Sequence, residues 1–169
     1  MEVEITFQTA QAERDCHLLA ELAQEIWTEH YQELLGMEQI HYMLEKFQSA
    51  EKIKQDILHN GYIYWIAFAN GVPCGYCAVC PKEEDNSLFI SKIYIRRACR
   101  GNKIARMFFE KAQELARSQS RSFLWLTVNK QNSGSISVYE HLGFKITDAV
   151  VSDIGSGYVM DDYIMKYPL

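Results

Sequence analysis

The sequence predicts an α/β fold built on a mixed sheet, and three observations predict it. The apolar spacing switches between three-or-four and two along the chain, so helices and strands alternate. An Asn70-Gly71 pair, the favoured two-residue hairpin turn, joins two β-rich runs. Then a strand, a turn containing Gly101 and an amphipathic helix follow one another directly over residues 88–117.

Taken in order, residues 3–7 alternate apolar and polar and read as a strand. Thr9 or Gln11 opens a helix carrying Cys16, Leu19, Leu22, Ala23, Ile26 and Trp27 at helical spacing. Two more helices are expected over residues 37–47 and 50–60, the second stopped by Gly61. Residues 62–69 are aromatic and β-branched, hence a strand. Further strands are expected over residues 73–80 and 87–95. A helix over 100–117 presents Ile104, Phe108, Ala112 and Leu115 on one face. Residues 123–128 form a strand rich in large apolar residues and expected to be buried. A short helix over 135–142 ends at Gly143, and strands over 144–151 and 158–165 close the chain.

The 169 residues suit one domain spanning 1–169, with no repeat, low-complexity tract or Pro/Gly/Ser linker to divide it. Apolar residues make up 48% and charged residues 23%, a globular composition. The net charge is −5 and no Lys/Arg run exceeds two residues, which argues against nucleic acid as a partner. No apolar run approaches the roughly 20 residues of a membrane helix, so no membrane partner is expected. The N-terminus lacks a basic segment followed by an apolar one, so the expected location is cytoplasmic. Five cysteines without an export signal suggest reduced thiols.

Cys74, Cys77 and Cys80 raise the question of a metal or iron–sulfur site. On a strand, Cys74 and Cys80 point to one face and Cys77 to the other, so the three do not converge on an ion. No metal site is expected, and the thiols read as small core residues.

Chemistry concentrates in residues 88–105, "LFISKIYIRRACRGNKIA". A helix beginning directly after a glycine-containing turn presents unpaired N–H groups and a partial positive charge. Such a turn suits a diphosphate, and Arg96, Arg97, Arg100 and Lys103 add cationic charge. An ordinary strand–helix connection with solvated arginines is the alternative. A second constellation, Asn132, Tyr139, Gly143 and Phe144, follows the buried strand. Tyr139 sits two turns into the short helix, where it either presents its phenol toward the strand ends or packs on the sheet.

These two stretches resemble the GNAT family of N-acetyltransferases. The resemblance covers nearly the whole chain and is most specific over residues 87–144. The family's cofactor motif, Arg/Gln-x-x-Gly-x-Gly/Ala, maps onto Arg100-Gly101-Asn102-Lys103-Ile104-Ala105. The later "N…S…VYEHLGF" is similar to the family's second motif, and "IWTEHY" and "YMLEKFQS" resemble the substrate-side helices of a bacterial branch. Two departures stand out. Lys103 replaces the motif's central glycine, and Ser91 stands where related chains often carry a glutamate base.

The resemblance implies a mixed, mostly antiparallel sheet with a splayed parallel strand pair, residues 88–95 and 123–128, and flanking helices. It implies acetyl-CoA as acyl donor and the primary amine of a small molecule or peptide as acceptor. Backbone groups of Ile93 and Ile95 would pair with the pantetheine arm, and the N–H near Ile93 or Tyr94 would polarise the carbonyl. N–H groups of Arg100, Gly101, Asn102, Lys103, Ile104 and Ala105 would hold the diphosphate, and Asn132 would bond the pantetheine or lie near the thiol end. Tyr139 would protonate the leaving thiolate. Glu29 and His30, with Glu33 beside them, are the candidates for taking the amine's proton, a water chain being the remaining alternative. Asp153, Asp161 and Asp162 are candidates for attracting a cationic acceptor. A homodimer is a further implication. The competing expectations are a non-catalytic acyl-CoA sensor on the same fold, and a thiol module on the three cysteines.

Overall fold

The structure, a computed structural model, describes residues 2–169. Its strands are β1 (Ile5–Thr9), β2 (Ile63–Ala69), β3 (Val72–Lys82), β4 (Ser87–Ile95), β5 (Phe123–Asn129), β6 (Lys145–Gly155) and β7 (Tyr158–Pro168). Its helices are α1 (Ala12–Leu35), α2 (Met37–Phe47), α3 (Ala50–His59), α4 (Ile104–Ser118) and α5 (Ser133–Leu142). The strands form a sheet in the order β1-β2-β3-β4-β5-β7-β6. The β4–β5 pair is parallel, and the β1–β2, β2–β3, β5–β7 and β6–β7 pairs are antiparallel. The mixed, mostly antiparallel sheet expected from the sequence is therefore present. No helix among the described residues is long and apolar enough to cross a membrane.

The backbone divides into two compact units. The first joins Met1–Cys80 to Lys92–Phe108, and the second joins Pro81–Ser91 to Phe109–Leu169.

In the first unit α1, α2 and α3 bury Leu19, Leu22, Ile26, Ile40, Met43 and Ile53 with Tyr64, Ile66 and Tyr76 of β2 and β3. Each aliphatic side chain buried this way contributes about 1.5–3 kcal/mol. The apolar spacing of α1 continues past Trp27 to Tyr31, so the helix runs on to Leu35. Gly36, at φ +78°, then ends it. Ser49 caps α3 by accepting from the Lys52 N–H. Asn70 and Gly71 both take positive φ, as the tight β2–β3 hairpin requires. Cys74 lies beside Cys99, while Cys80 donates to the Asn60 carbonyl. Cys74 falls at the register shift where Ala67 pairs with Gly75 and Phe68 with Pro73, so strict alternation is interrupted there.

The second unit is built around β5. Along β4 the parallel ladder comprises Ser87↔Phe123, Leu88↔Leu124 and Phe89↔Trp125 and stops there. Along β7 the antiparallel ladder runs the whole strand, from Phe123↔Pro168 to Asn129↔Asp162. One face of these strands carries Leu124, Leu126 and Met165, all buried. On that face Phe109 of α4 meets Phe144 and Tyr167 at 5.5 and 5.0 Å between ring centroids.

The helix expected from residue 100 begins instead at Ile104. Gly101 and Lys103 hold φ of +89° and +61°, and left-handed residues do not continue a right-handed helix.

Candidate active site

The first unit carries the turn singled out in the sequence. After β4, a short 3₁₀ turn over Arg97–Cys99 leads into Arg100. Asn102 closes the loop by donating its carboxamide N–H to the Cys99 carbonyl at 2.9 Å. The Lys103 carbonyl accepts from the Met107 N–H at 3.1 Å and starts α4. N–H groups in this first turn have no partner within the helix and carry its positive end. No acidic side chain lies in that turn to compete for them. At Gly101 a side chain would find no atom within 4 Å, so the loop is open on that side. The N–H groups from Gly101 to Ala105 thus fit a diphosphate, while the Arg100 N–H already donates to the Arg97 carbonyl at 3.3 Å. The positive φ of Lys103 shows why the motif favours glycine there. A lysine in the left-handed region costs about 1–2 kcal/mol.

The backbone of Ile93, Tyr94 and Ile95 belongs to the end of β4 before this turn. Gly75 of β3 permits a close approach there: a Cβ would lie 2.7 Å from the Tyr94 carbonyl oxygen. The Tyr94 ring packs with Trp27 at 5.3 Å and Tyr76 at 5.6 Å. A lone glycine inside a strand pattern is the sequence signal of such an approach.

Glu29 and His30 of α1 both reach the same loop. The Glu29 Oε1 accepts from the Arg97 backbone N–H at 2.7 Å, and its carbonyl accepts from the Arg97 guanidinium. His30 Nδ1 lies 2.9 Å from the Arg100 guanidinium. Arginine only donates, so Nδ1 accepts and the neutral ring carries its proton on Nε2. Burial lowers the His30 pKa, and the charges of Arg100 and Arg97 lower it further. His30 is therefore a neutral imidazole that grips the cradle loop. Sequence spacing gave no sign of this pairing across about 70 residues.

In the second unit, β5 ends at Asn129 and α5 begins four residues later. Asn132 is buried, and its Oδ1 caps α5 by accepting from the Ser135 N–H at 3.3 Å. Tyr139 is half-buried on α5, its ring 6.0 Å from Phe144. Gly143 closes the helix at φ +109° and faces Tyr167 so closely that a Cβ would sit 2.9 Å from the ring. That contact and that φ explain the glycine after "VYEHL".

These features meet known proteins at the family level. The sequence model of the acetyltransferase (GNAT) family matches residues 17–144. The chain belongs to this family and is an N-acetyltransferase by membership. It is 25% identical over 164 residues to an uncharacterized N-acetyltransferase in the pepI 3′ region of Lactobacillus delbrueckii subsp. lactis, covering 94% of both chains. Its fold matches the PaiA N-acetyltransferase of Thermoplasma acidophilum, solved in complex with coenzyme A. That match has a TM-score of 0.82 at 23% identity, covering 98% of this chain and 99% of that one. It also matches YncA, a putative acetyltransferase of Salmonella typhimurium solved with acetyl-CoA. Here the TM-score is 0.66 at 19% identity, over 98% and 94% of the two chains.

Proposed function

We propose that the chain transfers an acetyl group from acetyl-CoA directly to the primary amine of a small molecule or peptide. The observation that carries this reading is the loop before α4. Gly101 and Lys103 turn the backbone so that an acid-free helix N-terminus begins at Ile104, four residues after Arg100. When bound, acetyl-CoA supplies a thioester already activated for attack, with a thiolate as leaving group.

The chain's residues supply the rest. N–H groups of Gly101 to Ala105 neutralise the diphosphate, with the Arg100 and Lys103 side chains alongside. Backbone groups of Ile93, Tyr94 and Ile95 align the pantetheine arm, and one N–H there polarises the thioester carbonyl. Asn132 holds the arm through its carboxamide. Tyr139 keeps a proton on its phenol for the departing sulfur. Glu29 and His30 belong to the site, in a role that their geometry supports better than proton abstraction: they position Arg97 and Arg100. Five cysteines, none of them in a disulfide among the described residues, support a cytoplasmic setting. The exposed Val151 and Val159 of the β6–β7 hairpin support a homodimer through that edge.

A non-catalytic acyl-CoA sensor is the second reading, favoured by Lys103 in the glycine position. Substituting Tyr139→Phe separates the two. An enzyme loses turnover by about 10²–10⁴-fold while calorimetry shows unchanged affinity for acetyl-CoA. Unchanged turnover would remove Tyr139 from the mechanism, and absence of turnover in the parent protein would favour the sensor.

A further inference from the structure

Among the described residues three carboxylates are buried: Asp15, Asp56 and Asp162. Two of them are fully explained by the fold. Asp15 takes the Arg14 guanidinium and the Gln11 N–H at the start of α1. Asp56 takes Lys52 at 2.9 Å and the Asn60 carboxamide at 2.8 Å at the end of α3.

Asp162 differs. It is 8% exposed, and no donor lies within hydrogen-bonding distance of its Oδ1. An oxygen so placed loses its water without gaining a partner, a cost a fold does not normally tolerate without return. The nearby cation gives it no hydrogen bond and offsets the cost only in part, because Lys130 pairs with the neighbouring Asp161 at 2.8 Å.

The position of Asp162 is informative. It lies on β7 opposite Asn129, the last residue of β5. The Asn129 carbonyl accepts from the Asn132 N–H at 2.9 Å. Asp162 therefore stands at the strand end from which α5 and Asn132 depart. Strand alternation places it with Asn129 on one sheet face, opposite the face where Tyr167 meets Phe109 of α4.

We propose that Asp162 is the acceptor-amine residue: its carboxylate receives the substrate's ammonium group and takes one proton from it. This rests on the N-acetyltransferase reading and completes it, since Ser91 supplies no carboxylate on β4. The balance is simple. The ammonium N–H bond breaks, its electron pair stays on nitrogen as the nucleophile, and the proton rests on Asp162 before passing to water. Burial and then the Asp161 charge raise the Asp162 pKa to about 6, against the opposing pull of Lys130. That moves it toward neutral pH, where a proton acceptor works best. From β6 the residue opposite is Val150, which does not titrate.

The test begins with carbon-detected NMR titration of the aspartate carboxyls in the whole protein and in Asp162→Asn. The resonance missing from the variant should titrate near pH 6 and shift on addition of n-butylammonium, but not of n-butanol. Titration near pH 4 without response to butylammonium would overturn the proposal. Thermal melting is the second readout. Between its ordinary pKa of 3.8 and about 6, the folded form of Asp162 binds more protons than the unfolded one. Stability then falls as pH rises through that window and stays reduced above it. Asp162→Asn should therefore melt several degrees higher at pH 7.5 yet lose at least about 100-fold in kcat/KM for its amine. The acidic limb near pH 6 should vanish from its kcat/KM profile. A variant that melts lower, with activity intact, would make Asp162 merely structural. If the parent protein turns over no amine while Asp162 still answers butylammonium, the enzyme reading fails and the amine site stands.

Discussion

The buried charges of the two units are treated in opposite ways. In the first unit Lys92 and Asp56 are both answered. Lys92 is 7% exposed, and its ammonium binds the Tyr64 hydroxyl and the Phe47 carbonyl. Asp56 meets Lys52 and Asn60. In the second unit the Asp162 Oδ1 is answered by nothing. A charge whose partners are all internal fastens elements together, here α2 to β4 and β2. A charge left open costs stability and implies a partner from outside.

The sharpest way to break this contrast is to remove a charge from each unit. Asp56→Ala should cost about 2 kcal/mol, because a buried acceptor for two donors is lost, and acetyl-CoA affinity should be unchanged. Denaturant melts check the first expectation and calorimetry the second. Asp162→Asn should move stability the other way at the same pH. Should both destabilise equally, the distinction between fastening and open charges would collapse.

Lys92 gives a smaller effect with a defined pH window. Burial lowers its pKa from 10.5 to about 8, although Asp56 pulls it upward. Between those values the unfolded chain binds the extra proton, so stability rises with pH. Below pH 8 the cost of the buried ammonium is fully present. Cys74, pushed up to about 11 by burial, works in reverse above its ordinary value of 9, where the unfolded thiol ionises first. The Lys92 signature is therefore cleanest from pH 8 to 9, at about 1 kcal/mol. Lys92→Met should abolish that rise in a pH series of denaturant melts. The smallest expected change is at Lys103. Replacement by glycine relieves the left-handed strain but loosens the unfolded chain, for a net gain of at most about 1 kcal/mol.

Local signals made much of this legible. The Asn70-Gly71 hairpin, α2 and β4 follow directly from pattern and turn chemistry. The cradle was legible because glycine and cationic residues cluster within six positions. The start of α4 was misjudged by four residues, since nothing in the letter Lys103 announces a positive φ. β6 and β7 extend beyond their expected ends because each supplies the other's backbone partners, a non-local effect. At the site, Glu29 and His30 were found as residues, but their arginine partners lie about 70 positions away. Asp162 stood among three equivalent carboxylates in the sequence. Only burial and the direction of Lys130 set it apart.

The measurement that tests the central claim most directly is calorimetric titration of acetyl-CoA into the protein, followed by thiol release across a panel of primary amines. The account predicts saturable binding, and thiol release with at least one amine class. No binding of acetyl-CoA would contradict it, because the loop from Arg100 to Ala105 would then not be a diphosphate cradle.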